Sequence, residues 1–301
     1  MIARRVLALV AALTLTLPLV ACAASAGGYS GARAMSHVRR LVNMGSRASG
    51  TEGNGAAANY ITAHVERYGW EVERDCFAYS GVNLCNLIAK RGEGPIVLVG
   101  THYDTRPVAD RDANDRTQPV PGANDGASGV AVLLELARTL DAKATAGSQI
   151  WLVFFDGEDS GDLGGWEWAV GSGHLAQRLM NEPENRIEYS IIVDMVGDED
   201  QALYYEWSSS LWLSEELWAL AGRLGYEDVF VPSHKHHIID DHTPFLKVGI
   251  PSVLLIDFDY PFWHTTEDTT QRVASKSLLR VGHVLKTWLE DEPLAARAIA
   301  R

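Results

Sequence analysis

Four nearly continuous apolar runs stand out along the chain, at residues 96–100, 150–155, 189–196 and 251–256. A strand with one face in water alternates apolar and polar residues, whereas a strand covered on both faces is apolar almost throughout. The four runs are therefore predicted to be the central strands of a buried sheet.

Helical periodicity marks the stretches between and around these strands. Helices are predicted at residues 37–45, 55–68, 129–140, 166–180, 214–225 and 274–291. Strands that alternate with helices predict a mostly parallel sheet with helices on both faces, a three-layer α/β/α sandwich of the α/β class. Neither an internal repeat nor a second domain boundary interrupts the pattern, so we expect a single domain.

The composition fits this picture and excludes one class of function. The chain has 301 residues, of which 47% are hydrophobic and 22% charged, as is typical of a globular protein with one large domain. The formal net charge of −13 argues against a nucleic-acid partner, because phosphate backbones are bound by lysine and arginine.

The first residues resemble an export signal. Arg4 and Arg5 precede an apolar run over 6–20 that is short for a membrane span, which needs roughly 20 residues. The run ends in Leu-Val-Ala-Cys, which resembles a bacterial lipobox in which Cys22 would carry a lipid. We expect an exported domain, anchored to the bacterial cell envelope only through that lipid and lying in the periplasm or outside the cell. An ordinary cleaved signal with an incidental cysteine is the alternative.

The remaining segments follow from this assignment. Residues 1–22 are predicted to be the lipoprotein-type signal, and residues 23–35, rich in Ala, Gly and Ser, a flexible tether. The folded domain is predicted over 36–291, followed by a C-terminal tail over 292–301.

Two cysteines remain after the signal, Cys76 and Cys85. Short strand ends flank Ser80 and Gly81, so the two thiols could meet across a hairpin in an oxidising compartment. Two separate buried thiols are an equal alternative. Neither cysteine adjoins a histidine or a basic residue, so neither is predicted to be a nucleophile.

The candidate chemistry lies at the ends of the predicted strands, where open α/β sheets bind their ligands. The residues that follow the strands, or precede the neighbouring helices, are acids and histidines: His102, Asp125, Asp156, Glu158, Asp159, Asp194, Asp240 and His264. A single acid in such a place would be a turn or cap residue. Carboxylates together with imidazoles suit Zn²⁺, and the lack of cysteine excludes an iron–sulfur or cysteine-rich zinc site. The sequence therefore predicts a metal site.

Six motifs carry a family resemblance. THYD, GANDGASGVAVLLELAR, FFDGED, DMVGD, DDHTPFL and WHTTED occur in this order across nearly the whole predicted domain. The chain resembles the zinc-dependent exopeptidase superfamily that contains secreted aminopeptidases and glutaminyl cyclases, and within it bacterial glutaminyl-peptide cyclotransferase-like proteins. The resemblance implies a single α/β/α domain with a mixed, mainly parallel central sheet.

The resemblance also implies site roles. Asp125, Asp159 and His264 would hold a zinc ion, and Glu158 would be the catalytic acid and base. Glu158 and Asp159 could face different partners because the loop turns sharply at Gly157.

Two enzyme classes differ in the second set of residues. In the aminopeptidases, His102 and Asp194 would bind a second zinc with Asp125 as the bridge. In the cyclases, one zinc is used and Asp194 joins a hydrogen-bond network with the first aspartate of Asp-Asp-His, here Asp240.

The cyclase is favoured by that motif and by the long Asp/Asn-rich loop over 102–129. Its substrates would be peptides or proteins with an N-terminal glutamine. The aminopeptidase, with two zinc ions, is the alternative. A binding domain without activity is disfavoured, because the implied ligands and Glu158 are all present.

Several lesser expectations complete the picture. Trp263, beside a predicted ligand, should line the substrate pocket, whereas Trp168, at a predicted helix start, should pack in the core. Residues 233–237 should form a solvated loop at the rim of the cleft. Ile239 is apolar where animal cyclases carry a polar side chain, so the substrate contacts at this position should differ.

Overall fold

The computed structural model of the chain describes residues 28–291. Its helices are α1 (Gly31–Val42), α2 (Glu52–Arg67), α3 (Ala127–Thr139), α4 (Val170–Leu179), α5 (Leu211–Arg223), α6 (His242–Lys247) and α7 (Ser275–Asp291). Its strands are β1 (Glu71–Tyr79), β2 (Val82–Gly92), β3 (Ile96–His102), β4 (Gln149–Phe155), β5 (Ile187–Asp194), β6 (Leu203–Tyr205), β7 (Phe230–His234) and β8 (Ser252–Ile256). The four apolar runs correspond to β3, β4, β5 and β8, as predicted.

The central sheet has the strand order β1-β2-β4-β3-β5-β8. Strand β3 pairs in parallel with β4 and β5, and β5 pairs in parallel with β8. Strands β1 and β2 form an antiparallel hairpin that joins the sheet at β4. The sheet is therefore mixed and mainly parallel, and the predicted fold class is confirmed. The pair β6-β7 was not predicted.

Both faces of the sheet are buried along β3, β4, β5 and β8, which explains the continuous apolar runs. On β3, Val97 and Val99 pack into the cluster that includes α1, α3 and α7, whereas Leu98 packs into the cluster that includes α4. Every residue of β3 is buried. Successive side chains of a strand point to opposite faces, so burial on both sides requires apolar residues at consecutive positions.

The folded body begins earlier than the sequence predicted. Helix α1 starts at Gly31, and Tyr29 before it is buried. A Cβ atom on Gly31 would lie 2.0 Å from the carbonyl oxygen of Ser275, so the absence of a side chain lets α1 approach α7. The predicted flexible tether over 23–35 is thus wrong for residues 28–35. An Ala- and Gly-rich composition was taken for flexibility, but here it permits close helix packing.

The predicted signal over 1–22, with Cys22, and the predicted tail over 292–301 lie outside the described residues. Within the described part of the chain, every helix is too short or too polar to cross a membrane.

Cys76 and Cys85 are joined by a disulfide and face each other across β1 and β2. The turn between the strands places both Ser80 (φ 47°) and Gly81 (φ 82°) in the left-handed region. Two such residues are the signature of a tight hairpin turn that matches the strand twist. Of the two alternatives for these thiols, the structure contains the disulfide.

Candidate active site

The residues singled out at the strand ends come together at one edge of the sheet. His102 is the last residue of β3 and Asp194 the last of β5. Glu158 and Asp159 lie in the loop after β4, and Asp125 lies two residues before α3. This convergence follows from the parallel pairing, which brings the carboxyl ends of β3, β4, β5 and β8 to the same side.

Three of these side chains form a first ligand group, Asp125, Asp159 and His264. The Nε2 atom of His264 lies 2.9 Å from Oδ1 of Asp159 and 3.8 Å from Oδ2 of Asp125. All three side chains are buried. His264 has a positive φ of 59°, a strained conformation for a non-glycine residue that is typical of functional positions.

A second ligand group consists of His102, Asp125 and Asp194. The Nε2 atom of His102 lies 3.1 Å from Oδ1 of Asp125 and 3.0 Å from Oδ1 of Asp194. Asp125 belongs to both groups, with one oxygen directed to each histidine. The five predicted ligand residues thus fall into two adjoining groups that share Asp125.

The first group fits a bound cation. Oδ2 of Asp125 and Oδ2 of Asp159 are buried and have no hydrogen-bond partner among the described residues. Burial, with the charge of Asp125 nearby, raises the pKa of Asp159 to about 6. Unpaired buried carboxylate oxygens are costly unless a positive charge compensates them. Carboxylate oxygens with an imidazole nitrogen are a normal donor set for Zn²⁺.

The loop after β4 is held in place by Asp104. Its two carboxylate oxygens accept the backbone N–H groups of Glu158 (3.2 Å) and Asp159 (3.1 Å). The loop turns at Gly157, whose φ is 76°, as the sequence predicted. A Cβ atom there would also lie 2.9 Å from a methyl group of Leu84. Asp104 therefore orients both the metal ligand and the candidate acid–base residue.

Asp156 orients the other side of the same loop. Its carboxylate accepts hydrogen bonds from Ser49, Asn54, the backbone N–H of Cys85 and the hydroxyl of Tyr103. Asp104 and Asp156 thus position the loop and its neighbours.

Asp268 was missed in the sequence analysis. Its carboxylate accepts the backbone N–H groups of Asn124 (2.8 Å) and Asp125 (3.1 Å) and the hydroxyl of Tyr260 (2.7 Å). It therefore fixes the backbone that carries the shared ligand Asp125. The only signal for it was its place at the end of the WHTTED motif.

Two arginines were also missed. The buried guanidinium of Arg47 donates to the carbonyl oxygens of Tyr103, Pro121 and Gly122, which braces the loop before Asp125. Arg106 pairs with Asp110, whose Oδ1 lies 3.4 Å from Nδ1 of His264. No local pattern in the sequence marked either arginine.

Glu158 lies among other acids. Burial raises its pKa well above the ordinary value, and the charges of Asp240 and Asp241 add to this effect while His102 opposes it. Burial and the charge of Asp194 raise the pKa of Asp240 to about 7. These acids therefore hold protons at a higher pH than isolated carboxyl groups, which suits proton transfer.

A narrow cavity of about 30 Å³ connects these groups. It is lined by Asp125, Glu158, Asp159, Trp168, Asp194, Met195, Ile238, Ile239, Asp240, Ile256, Phe258 and Trp263. Trp263 lies on this cavity, where the sequence analysis expected it. The cavity therefore combines metal ligands, acids and an apolar wall.

Trp168 also lines the cavity, so its predicted place in the core was wrong. Helix α4 begins at Val170, later than predicted, which leaves Trp168 in the preceding loop. Its ring stacks on His264 with a centroid distance of 6.0 Å. A Cβ atom on Gly161 would overlap the indole ring, so a glycine is required beneath it.

Residues 233–237 lie near the rim of the cavity, and the ligand groups found among residues 28–291 do not include them. Lys235 and His236 pair with Asp259. Ser233 and His234 are the end of β7, so the predicted solvated loop is wrong for these two residues and holds only for 235–237.

Comparison with known proteins matches this architecture. The model of peptidase family M28 matches residues 86–289. The chain is 26% identical to a glutaminyl-peptide cyclotransferase-like protein of Bos taurus, over 81% of this chain and 72% of that protein. The crystal structure of Porphyromonas gingivalis glutaminyl cyclase is similar with a TM-score of 0.82 and 32% identity, covering 87% of this chain and 98% of that one.

A solved structure named as an aminopeptidase is about as similar in fold as the glutaminyl cyclase. The crystal structure of a leucine aminopeptidase precursor from Bacteroides thetaiotaomicron has a TM-score of 0.81 and 29% identity, covering 88% of this chain and 98% of that one. The buried ligand groups suggest zinc, and the chain is an enzyme of the cyclase or aminopeptidase kind. By its matched family model, its fold and its site, the chain belongs to peptidase family M28.

Proposed function

We propose that this enzyme is a zinc-dependent glutaminyl-peptide cyclotransferase that converts an N-terminal glutamine into pyroglutamate and releases ammonia. One observation carries the proposal. Asp194, in the second ligand group, is held by hydrogen bonds within the protein, because its Oδ1 accepts from Nε2 of His102 (3.0 Å) and from the backbone N–H of Met195 (2.8 Å). Apart from the shared Asp125, the only buried atom of that group without a hydrogen-bond partner among the described residues is Nδ1 of His102, which is a nitrogen and not a carboxylate oxygen. The first group leaves two carboxylate oxygens without partners. This difference favours one zinc and a hydrogen-bond network beside it.

The reaction needs a proton acceptor and a proton donor, and Glu158 would serve as both. The α-amine of the substrate attacks the carbon of the γ-amide, a new C–N bond forms, and the old C–N bond breaks. Glu158 accepts the proton of the amine and returns it to the departing nitrogen, which leaves as ammonia. No water is consumed. A zinc ion on Asp125, Asp159 and His264 would polarise the amide carbonyl.

The other acids would orient the departing group. Asp194 and Asp240 line the same cavity as Glu158. Burial and the charge of Asp194 raise the pKa of Asp240 to about 7, so these two acids can share one proton. A carboxyl group that keeps a proton can donate a hydrogen bond, and an ionised partner can accept one from the amide N–H₂.

The apolar wall would protect this reaction from hydrolysis. Trp168, Phe258 and Trp263 line the cavity beside the acids. Aromatic walls exclude water and confine the flexible glutamine side chain, which brings the amine close to the amide carbon. The names of the bovine and Porphyromonas relatives give further support.

A di-zinc aminopeptidase is the second candidate. It is favoured by the placement of Asp125, whose two oxygens face the histidines of both ligand groups. In that enzyme Glu158 would activate water, and the product would be a free N-terminal amino acid. The similarity to the leucine aminopeptidase precursor supports this candidate.

A paired assay separates the two candidates. The purified chain would be supplied with zinc and given a glutamine-initiated peptide, followed for ammonia, and leucine- and alanine-initiated peptides, followed for free amino acid. We expect ammonia without cleavage and about one zinc per chain. Free amino acid with two zinc ions would overturn the proposal in favour of the aminopeptidase. Glu158→Gln is the control and should abolish either activity without loss of zinc.

Export and lipid anchoring on Cys22 are proposed with this function. The N-terminal sequence motivates the proposal, and a disulfide between Cys76 and Cys85 suits an oxidising compartment. Fractionation of cells that express the full chain or Cys22→Ala tests it. The wild-type chain should be found with the membrane, and the variant should be released.

A further inference from the structure

Two large apolar side chains are exposed beside the cavity. Trp207 and Ile239 are each 60% exposed, and Ile239 also lines the cavity. Trp207 follows Glu206, whose carboxylate accepts the backbone N–H of the cavity residue Ile238. Scattered exposed apolar residues are ordinary, but two beside one catalytic cavity call for a role in binding.

The segment that carries Trp207 is fixed in place. The indole stacks on the ring of His234 with a centroid distance of 4.2 Å and an interplanar angle of 24°. The backbone N–H of Trp207 donates to the carbonyl oxygen of His236 at 2.9 Å. The ring is therefore presented to solvent in a set orientation, so little conformational entropy is lost when a ligand contacts it.

The segment that carries Ile239 is tied to the same support. The buried carboxylate of Glu206 accepts the backbone N–H of Ile238 at 3.2 Å and lies 3.1 Å from Nε2 of His242. It also accepts the backbone N–H groups of Ser208 and Ser209. Glu206 thus joins the segment before α5 to the segment before α6, on either side of the cavity mouth.

Aromatic rings link this region to the metal ligands. Trp263, next to His264, lies 4.8 Å from Phe258, and Phe258 lies 5.4 Å from His236, as ring centroids. His236 is the residue whose carbonyl holds Trp207. We call Trp207, His234 and Ile239 the outer rim. Ring contacts therefore connect the cavity wall to His236, which supports the outer rim through its backbone.

We propose that the outer rim binds the substrate residues that directly follow the N-terminal residue, and that it favours aromatic or large aliphatic side chains there. This inference rests on the proposed function, because the proposed function places the N-terminal residue of the substrate in the cavity. Ile239 belongs both to the cavity lining and to the outer rim, so a peptide whose N-terminal residue lies among the cavity acids would continue past the rim. Lys235, which follows His234 of the rim, is already paired with Asp259, which favours selection by apolar contact over charge.

The test uses glutamine-initiated peptides that carry Phe, Leu, Ser or Gly at the second and third positions. Wild type, Trp207→Ala, Ile239→Gln and the double variant are compared by ammonia release. Met180→Ala is the matched control, since Met180 is 61% exposed but lies next to the start of β5, at the opposite edge of the sheet. We expect the kcat/KM ratio of Phe to Gly peptides to fall about tenfold in Trp207→Ala, chiefly through KM, as for anchor residues of interfaces. Met180→Ala should keep the wild-type ratio.

An unchanged Phe-to-Gly ratio in the double variant would overturn the proposal. So would equal losses on all peptides, which would indicate a structural role. Two other outcomes, with peptide preference unchanged, would also show that the proposal is wrong. If Trp207→Ala weakens sedimentation with phosphatidylcholine vesicles, the rim binds a membrane. If it dissociates a dimer, the rim binds a second copy of the chain.

Failure of the proposed function gives a different result. In that case the wild-type chain releases no ammonia from any peptide but frees N-terminal amino acids. The same series, with leucine at the N-terminus, then tests the rim, because the downstream residues leave by the same mouth. If neither product forms, calorimetric binding of the Phe and Gly peptides to Glu158→Gln and to Glu158→Gln with Trp207→Ala decides it. Equal binding of both peptides by both proteins contradicts the proposal.

Discussion

The two ligand groups contain the same residue types, two aspartates and one histidine, yet they differ in how their carboxylate oxygens are satisfied. In the second group, Asp194 accepts hydrogen bonds from His102 and from the backbone of Met195. In the first group, Oδ2 of Asp125 and Oδ2 of Asp159 have no partner among the described residues. Composition alone therefore does not distinguish a metal site from a polar network. The hydrogen-bond partners of each carboxylate oxygen supply the distinction on which the proposed single zinc rests.

The largest expected effect comes from breaking the first group. Asp159→Asn removes a charged ligand, so we expect loss of bound zinc and a roughly thousandfold or greater loss of activity. Metal analysis after gel filtration and the initial rate of ammonia release measure the two effects. Retention of a full complement of zinc would contradict the assignment of the first group.

Breaking the second group should have a smaller and different effect. Asp194→Asn is expected to lower kcat roughly ten- to hundredfold while about one zinc per chain remains. The reason is that Asp194 would take part in proton transfer and would not bind the metal. Asp240→Asn should behave alike. A fall from two zinc ions to one in Asp194→Asn would show that both groups bind metal.

A still smaller effect is expected from the support beneath the shared ligand. Asp268→Asn replaces one of two oxygens that accept the N–H groups of Asn124 and Asp125 by an amide nitrogen, which cannot accept them. We expect zinc affinity to fall roughly tenfold, as for residues that orient metal ligands. Competition with a chelator measures it. The same zinc affinity as wild type would mean that Tyr260 and the surrounding backbone are enough to hold Asp125 in place.

The smallest effect concerns a region far from both groups, the contact between α1 and α2. Nδ1 of His37 lies 2.6 Å from the hydroxyl of Tyr60. Burial lowers the pKa of His37 from 6.5 to about 3, with smaller effects from His64 on α2, Arg138 on α3 and Arg33 on α1. Below pH 6.5, His37 therefore binds a proton in the unfolded chain but stays neutral in the folded chain. The free energy of unfolding then falls as the pH falls towards 3.

At pH 5 this loss amounts to about 2 kcal/mol. In His37→Asn, the decrease in the free energy of unfolding between pH 7 and pH 5 should be smaller by about that amount, measured by urea denaturation. His237→Asn, at an exposed histidine, is the control. An unchanged decrease in His37→Asn would show that the histidine is protonated in the folded chain.

The sequence predicted the sheet and most of the ligand groups because both rest on local patterns. Buried parallel strands are apolar throughout, and their carboxyl ends must meet, so acids and histidines after β3, β4 and β5 could be placed together. Asp268 could not be found in this way, because it contacts Asn124 from 144 residues away through a backbone N–H group that has no sequence signature. Trp168 was misplaced because helix α4 starts at Val170, and boundaries are weakly encoded.

The hairpin that carries Cys76 and Cys85 has a consequence for the maturation of the enzyme. The backbone of Cys85 donates to Asp156 and accepts from the hydroxyl of Tyr103, and Asp156 and Tyr103 flank the loop and strand that deliver Glu158 and His102. The disulfide therefore constrains a strand whose backbone holds the catalytic loop, and we expect a chain kept reduced to hold that loop less firmly.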